Sequence, residues 1–351
     1  MNNPSSGQPE GFEFRGSARE WFGIWIVNLL LSIVTIGIYS AWAKVRTKKY
    51  FYQNTFVAGR NFDYHATGMQ ILIGRIIMIA AFAVFSVVSA IPLIGLVAVL
   101  ALFAALPWLL VRSLCFNAQM SSWSNVRFRF SGGYMGAFLA YVIYPFLTFL
   151  TAYLAFPFLD RAMKRYTMNN HSLGGHTFTF DANIGPFYKA FFAALAWVIG
   201  VTLVIGALIF PGLAAFDPIA LEEDPAALAG VVAGFYAWLF IAFLPAATIY
   251  RALVRNVTLQ NLSLEGGHQF YSNVSAGKLI WITMSNALIT VVSLGFMLPW
   301  AQVRMTRYMA DHTALIPGGS LDGFVGKLEA EATALGDAYT DLEGIEVGLP
   351  V

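Results

Sequence analysis

Six stretches of this chain run for more than twenty residues without a charged side chain. They hold 23 residues between Glu20 and Lys44, 36 between Arg75 and Arg112, 30 between Arg129 and Asp160, 27 between Lys189 and Asp217, 26 between Asp224 and Arg251, and 25 between Lys278 and Arg304. A bilayer span needs about 20 apolar residues. Only 11% of the chain is charged, against about 25% in soluble domains, so it cannot cover a water-facing surface of its own size. These facts exclude a soluble globular enzyme, a disordered protein and a nucleic-acid binder with a basic face. The longest stretch holds Ala90-Ile91-Pro92 near its middle, where proline favours a break. The reading is seven apolar helical segments: 21–43, 73–90, 93–111, 134–158, 188–210, 228–250 and 279–300.

The placement of cations decides how many of them cross. Seven crossings put 12 Lys and Arg on the inner side and nine outside. If 21–43, 134–158 and 279–300 instead dip in and return, the two outer loops are 90–93 and 211–227. Neither carries a Lys or Arg, the second is acidic, and all 21 basic residues fall inside, the stronger positive-inside pattern. Four spans are therefore expected. Residues 21–42 as one straight helix would be ~33 Å long, so these segments must break; Asn28, Thr35, Gly37, Pro145, Asn286 and Gly295 are candidate points. The polar first eleven residues lack the basic-then-apolar pattern of a cleavable signal peptide. The expected division is a cytoplasmic segment 1–20, a repeated transmembrane domain 21–325 and an acidic tail 326–351.

Alternating aromatics recur outside the helices: Phe12-Glu-Phe14, Phe62-Asp-Tyr64, Phe128-Arg-Phe130, Phe178-Thr-Phe180 and, more loosely, Gln269-Phe270-Tyr271. Period-2 aromatics beside polar residues predict half-buried strands. Lone strands are unstable and should pair, which requires them on one side of the membrane. The expected class is an all-α polytopic membrane protein with internal helix–strand repeats and a small cytoplasmic β element.

The repeat is visible in the spacing. Tyr50, Asn54 and Phe62 lie 8, 12 and 20 residues past Trp42, and Tyr166, Asn170 and Phe178 lie at the same offsets past Phe158. A third copy runs from Pro299-Trp300 through Arg304 and Arg307-Tyr308 to His312, with weaker copies at Pro107–Arg112 and Pro245–Arg251. Each copy reads as an apolar helix, an aromatic collar at headgroup level, a basic extension whose side chains snorkel to phosphates, a turn and an aromatic strand.

Candidate sites follow from that unit. Lys44, Arg46, Lys48, Lys49, Arg161, Arg165, Arg304 and Arg307 are candidates for anionic lipid headgroups, with positive-inside anchoring as the plainer explanation. Asn28, Thr35, Asn286 and Thr290 are polar positions inside apolar segments; they either line a polar path or bridge helices by hydrogen bonds. The five histidines (His65, His171, His176, His268, His312) show no metal-ligand spacing, and Cys115 between Leu114 and Phe116 reads as an apolar filler. No catalytic residue, metal site or cofactor is expected, no nucleic-acid partner, and no constellation for bond chemistry is visible.

The motif Asn28…Thr35-Ile-Gly37-Ile-Tyr39-Ser-Ala-Trp42-Ala-Lys-Val-Arg46…Tyr50…Asn54-Thr…Gly59…Phe62-Asp-Tyr64-His65 resembles the YjgN family of bacterial inner-membrane proteins. The resemblance covers about residues 11–325. It implies a multi-pass protein of the bacterial inner membrane and carries over no catalytic or binding residue. The expected role is structural, interaction-based or lipid-associated, with anionic membrane lipids as partners. The alternative is a passive channel or transporter for a small solute.

Overall fold

The computed structural model describes residues 7–214, 225–321, 323–328 and 330. Among them one order of elements recurs five times: an opening strand of five residues, two successive helices and a short closing strand. Unit 1 is β1 (Glu10–Phe14), α1 (Ala18–Val34), α2 (Ser40–Gln53) and β2 (Thr55–Val57). Unit 2 is β3 (Arg60–Tyr64), α3 (Gly68–Ser89), α4 (Ile94–Gln119) and β4 (Ser121–Trp123). Unit 3 is β5 (Val126–Phe130), α5 (Tyr134–Leu150), α6 (Phe156–Asn169) and β6 (His171–Leu173). Unit 4 is β7 (His176–Phe180), α7 (Gly185–Ala214), α8 (Pro225–Gln260) and β8 (Leu262–Leu264). Unit 5 is β9 (His268–Ser272), α9 (Ala276–Val292), α10 (Leu298–Asp311) and β10 (Thr313–Ile316).

Within every unit the opening strand pairs antiparallel with its own closing strand, and each closing strand pairs with the next opening strand. β10 returns to β1, so the ten strands close into a barrel. Closure leaves no unpaired edge. The turns between units suit this: Ala58 and Gly59, like Ser124 and Asn125, take positive φ, the conformation of two-residue hairpins whose twist matches the strands they join.

This barrel corrects the all-α class with a small β element. The period-2 aromatics mark the five opening strands, but β2, β4, β6 and β8 are three residues long, too short to carry an alternation. Without them neither the strand number nor the closure can be read.

Register explains why each opening strand has phenylalanine at its centre. Phe12, Phe62, Phe128, Phe178 and Phe270 face Val57, Trp123, Leu173, Leu264 and Leu315 across their pairs. All ten meet in one core inside the barrel. Phe12–Phe62, Phe128–Phe178 and Phe178–Phe270 lie 6.2, 6.3 and 6.1 Å apart, within the range of favourable ring pairs. A helical run at residues 323–328 caps the end away from the helices. Its Val325 and Leu328 are 1% and 0% exposed in the same core. Gly174 passes so near that a Cβ there would stand 2.8 Å from Leu328 Cδ2.

Below the barrel the helices form a ring in which the second helix of each unit packs on the first helix of the next, and α10 packs on α1. Trp21 Nε1 donates to Gln302 Oε1 at 2.7 Å and Arg307 to Gly16 O at 2.9 Å, closing the ring between units 5 and 1.

The units differ in depth. α3, α4, Gly185–Leu208 of α7, and α8 are long and apolar enough to cross a membrane. Units 1, 3 and 5 reverse early, at residues 35–39, 151–155 and 293–297. The three tips share one hydrogen-bond scheme. Gly37, Tyr153 and Gly295 donate to Ser32 O, Thr148 O and Thr290 O at 2.7, 2.9 and 2.8 Å. The hydroxyls of Thr35, Thr151 and Ser293 accept from the N–H groups of Tyr39, Ala155 and Met297, the residues just before each returning helix. The N–H groups of each tip are thus satisfied internally, as hydrocarbon favours, while Ile36 and Leu294 are 94% and 88% exposed. From Lys44 to Ile36 is roughly eight residues, ~12 Å of helix, against a core of about 30 Å.

Unit 3 turns at Thr151, not at the expected Pro145. Pro145 lies inside α5, just after the wider turn Leu139–Ile143, which absorbs its missing donor. A tyrosine clasp ties the base of each early-reversing hairpin: Tyr50, Tyr166 and Tyr308 hydroxyls donate to Ser17 O, Gly133 O and Ser275 O at 2.8, 2.9 and 3.3 Å. The spanning units carry Phe116 and Val257 at that place.

The cap makes a stability prediction. Leu328→Ala is expected to lower stability by about 2–5 kcal/mol, read as a fall in the thermal midpoint in detergent. The exposed neighbour Lys327→Ala should change it by less than about 0.5 kcal/mol.

Candidate functional site

The barrel interior is not filled. A cavity of about 380 Å³ runs down the axis between the five-phenylalanine ring and the ends of the second helices, where Arg255, Leu259, Thr306 and Met309 line it. It lies within the ~300–1,000 Å³ of small-molecule pockets. A second lobe of about 430 Å³ adjoins it, sharing Phe12, Thr55, Phe62 and Phe128, and adds Tyr52, Asn117, Ser121 and His171. The axis is therefore apolar inside the barrel and polar at the rim that faces the helices.

Two of five equivalent positions on the second helices, Arg255 and Thr306, line this rim. Two helical turns before each closing strand stand Lys48, Leu114, Lys164, Arg255 and Thr306. Arg255 Nη2 donates to Thr313 Oγ1 at 2.9 Å, and its buried Nε has no acceptor among the described residues. Lys48 Nζ donates to Asn117 Oδ1 at 2.7 Å and lies 4.4 Å from the Tyr64 ring centre. Burial, then the nearby Lys44, holds the Lys48 pKa below its ordinary value. Lys164 is neutralised by Asp160, which also accepts from Tyr250.

The basic residues singled out from sequence divide into two groups. Lys44 and Lys49 are exposed. Arg46, Arg165 and Arg307 are exposed as well, but these three, like Lys48, Arg161 and Arg304, bond to protein groups. Arg46 reaches Asn28 Oδ1 and Tyr39 Oη at 3.5 and 3.0 Å. Arg304 reaches Ser285 Oγ and Asn286 Oδ1 at 2.7 and 3.0 Å. Arg161 Nε donates to Ala182 O, Arg165 pairs with Asp181, and Arg307 binds Gly16 O.

The polar intramembrane set lies within the same hairpins. Asn286 also donates to Ala301 O at 3.0 Å. Thr35 Oγ1 donates to Leu31 O, and Thr290 O accepts from Gly295. Asn28, Thr35, Asn286 and Thr290 line neither axial lobe.

Sequence reading missed Arg255, Asn117, Tyr52 and Thr313. The available signal was the alignment of Lys48, Lys164 and Arg255 across copies. It becomes visible only when the short closing strands set the register; Pro107, Pro157 and Pro299 obey that register, and Pro245 sits about one turn earlier. The acidic loop at 217–224 and the acidic tail past residue 330 lie outside the described residues.

The cap rests on two histidines. The rings of His176 and His268 lie 5.0 and 4.2 Å from Phe324. Gly318 N–H donates to His268 Nδ1 at 3.3 Å, which requires that nitrogen to be unprotonated. Burial first, and His176 second, hold the His268 pKa below its ordinary value.

Residues 9–342 match a family described as bacterial protein of unknown function (DUF898). Over 351 aligned residues, covering 88% of both chains, the sequence is 24% identical to a protein named inner membrane protein YjgN from Salmonella typhimurium. It is 28% identical over 138 residues to proteins of the same name from Escherichia coli O157:H7 and strain K12. Those two matches cover 39% of this chain and 35% of each relative. No solved structure matches.

The histidine contact makes a pH prediction. Because the folded pKa of His268 is depressed, the displaced state takes up the proton first, near pH 6.5. The cap is fully held above about that pH and loses stability as pH falls below it. Hydrogen exchange at residues 323–328, corrected for intrinsic rate, should rise between pH 7.5 and 5.5, and His268→Gln should flatten the response. Protection that does not change with acid in the unsubstituted protein contradicts it.

Proposed function

The chain belongs to the DUF898 family, whose inner-membrane relatives bear the YjgN name, and from that multi-pass inner-membrane setting we propose that it is a lipid-associated scaffold. It seats a closed barrel on the cytoplasmic face and grips the adjoining leaflet. The observation that carries this reading is the trio of early-reversing hairpins, whose satisfied N–H groups and exposed apolar tips suit insertion into one leaflet. The two spanning hairpins fix the barrel against loss to water. All 21 Lys and Arg lie in the barrel, its cap or the helix portions next to it, which supports a cytoplasmic barrel. Lys44 and Lys49, with Arg19, are exposed at the collar and suit anionic headgroups.

The axial cavity is the feature that would favour a passive channel. Two observations weigh against that reading. The cavity ends at Leu321 and Phe324 under the cap. Unit 3 on one side, and units 5 and 1 on the other, separate the spanning hairpins, which among the described residues share no packed interface around a pore.

The scaffold reading predicts a lipid preference. In nanodiscs of mixed phosphatidylglycerol and phosphatidylcholine, spin-labelled phosphatidylglycerol should associate preferentially with the protein. Lys44→Gln with Lys49→Gln should weaken that preference by about 1 kcal/mol per charge. An unchanged preference would remove the support for headgroup binding.

A further inference from the structure

We propose that the axial cavity is a binding site for a single-chain amphiphile with an anionic head, its chain inside the barrel and its head at Arg255. This goes beyond the scaffold reading and does not rest on it: the exposed collar lysines act outside the ring of helices, and this site lies on its axis.

The chemistry on the axis is divided along its length. One end is walled by phenylalanine, leucine, valine and Trp123, with His268 beside them and its Nδ1 already accepting from Gly318 N–H, and such a wall offers little to a polar solute. A strand of five residues spans about 17 Å, and the cap side chains Leu321 and Phe324 occupy part of that depth. The free length suits a medium acyl chain better than a long one. At the other end the groups are donors. Arg255 lines the cavity, spends one nitrogen on Thr313 and leaves its buried Nε without an acceptor. A buried donor without a partner is costly, and a guanidinium is shaped for a carboxylate or phosphate. Lys48 is held at the second lobe through Asn117, where His171 and Ser121 add further polar groups. Among the described residues, Lys164 alone of the three cations at equivalent positions has a carboxylate partner, Asp160. An anion at Arg255 would answer its charge, and an attached apolar chain would fill the space above.

Neither half of the site selects this ligand alone. An apolar molecule without a charge would leave Arg255 unanswered, and a small inorganic anion would leave the barrel empty. A two-chain phospholipid carries more hydrocarbon than the ring of five phenylalanines admits. The cap adds a way in or out that is independent of the bilayer, since Phe324 belongs to both the cavity wall and the histidine contact.

The test uses the full-length protein in phosphatidylcholine nanodiscs with two photoreactive probes: a twelve-carbon fatty acid with a terminal diazirine, and the corresponding uncharged alcohol. Labelled residues are located by mass spectrometry. The expected result is saturable labelling by the acid at Phe62, Trp123 or Phe178, competed by dodecanoate and much weaker with the alcohol. Arg255→Gln should lower that labelling about tenfold, Arg255→Lys should retain most of it, and Phe178→Trp should block it by filling the barrel. Labelling of the bilayer-facing Phe82 should stay constant throughout. Labelling confined to bilayer-facing residues, or equal barrel labelling by acid and alcohol, overturns the proposal. Should Arg255→Gln not yield monodisperse protein, the comparison of acid with alcohol on the unsubstituted chain decides alone. None of these outcomes bears on the headgroup preference of Lys44 and Lys49, so the two readings fail separately.

Discussion

Every peptide N–H and C=O that enters hydrocarbon must find its partner within the protein, and this constraint shapes each level of the structure. The early-reversing hairpins meet the donor half of it with a five-residue turn in which backbone bonds and one hydroxyl, from Thr35, Thr151 or Ser293, take up every N–H of the reversal. The spanning helices meet it through their own ladders. The barrel meets the related problem of unpaired strand edges by closing on itself. Because all five units solve the reversal in the same direction, all ten strands return to one side and can pair there. A single unit would present a bare two-stranded ribbon, marginal in water; the fivefold ring is what makes the unit stable.

The order of the units gives the molecule its function-bearing shape. Early-reversing and spanning hairpins alternate, so the helices that cross never gather into a bundle. What lies on the shared axis is therefore the barrel and its rim, not a pore between spans. The tyrosine clasps at Tyr50, Tyr166 and Tyr308 occur only in the units that turn back. Burial, chiefly, pushes the Tyr166 pKa up to about 12, so its hydroxyl remains a donor at any physiological pH. The arginines that sequence reading offered to lipid, Arg46 and Arg304, bind the asparagines of their own hairpins instead. They brace those hairpins from within.

Much of this was legible in the residues, and the gaps have identifiable causes. Charge-free runs and the placement of all 21 cations point to four spans and three returning segments, because desolvating a charge is costly enough to leave a clear trace. The collar spacing from Trp42 to Phe62 and from Phe158 to Phe178 exposes the repeat. Closing strands such as Thr55–Val57 and Ser121–Trp123 leave almost none, since three residues cannot show a period and β4 reads as Ser-Ser-Trp. The barrel was lost with them, and with it the register that brings Arg255, Thr306 and Thr313 to one cavity. The turn at Ala152 and Tyr153 was hidden for a different reason: both take positive φ without glycine, held by the hydrogen bonds around Thr151, whereas Pro145 looked like a breaker and is accommodated by a wider helical turn.

The central claim is that five hairpins point one way and ten strands close on the other side. Single cysteines at Asn61, Thr177 and Gln269, all exposed barrel positions in three different units, and at Pro92, at the tip of a spanning hairpin, test it in sealed inner-membrane vesicles of known orientation. With a membrane-impermeant thiol reagent and Cys115 replaced by alanine, the three barrel positions should react from the cytoplasmic face and Pro92→Cys from the opposite face only. Reaction of any two barrel positions from opposite faces would contradict the closed barrel and the alternation of hairpins that supports it.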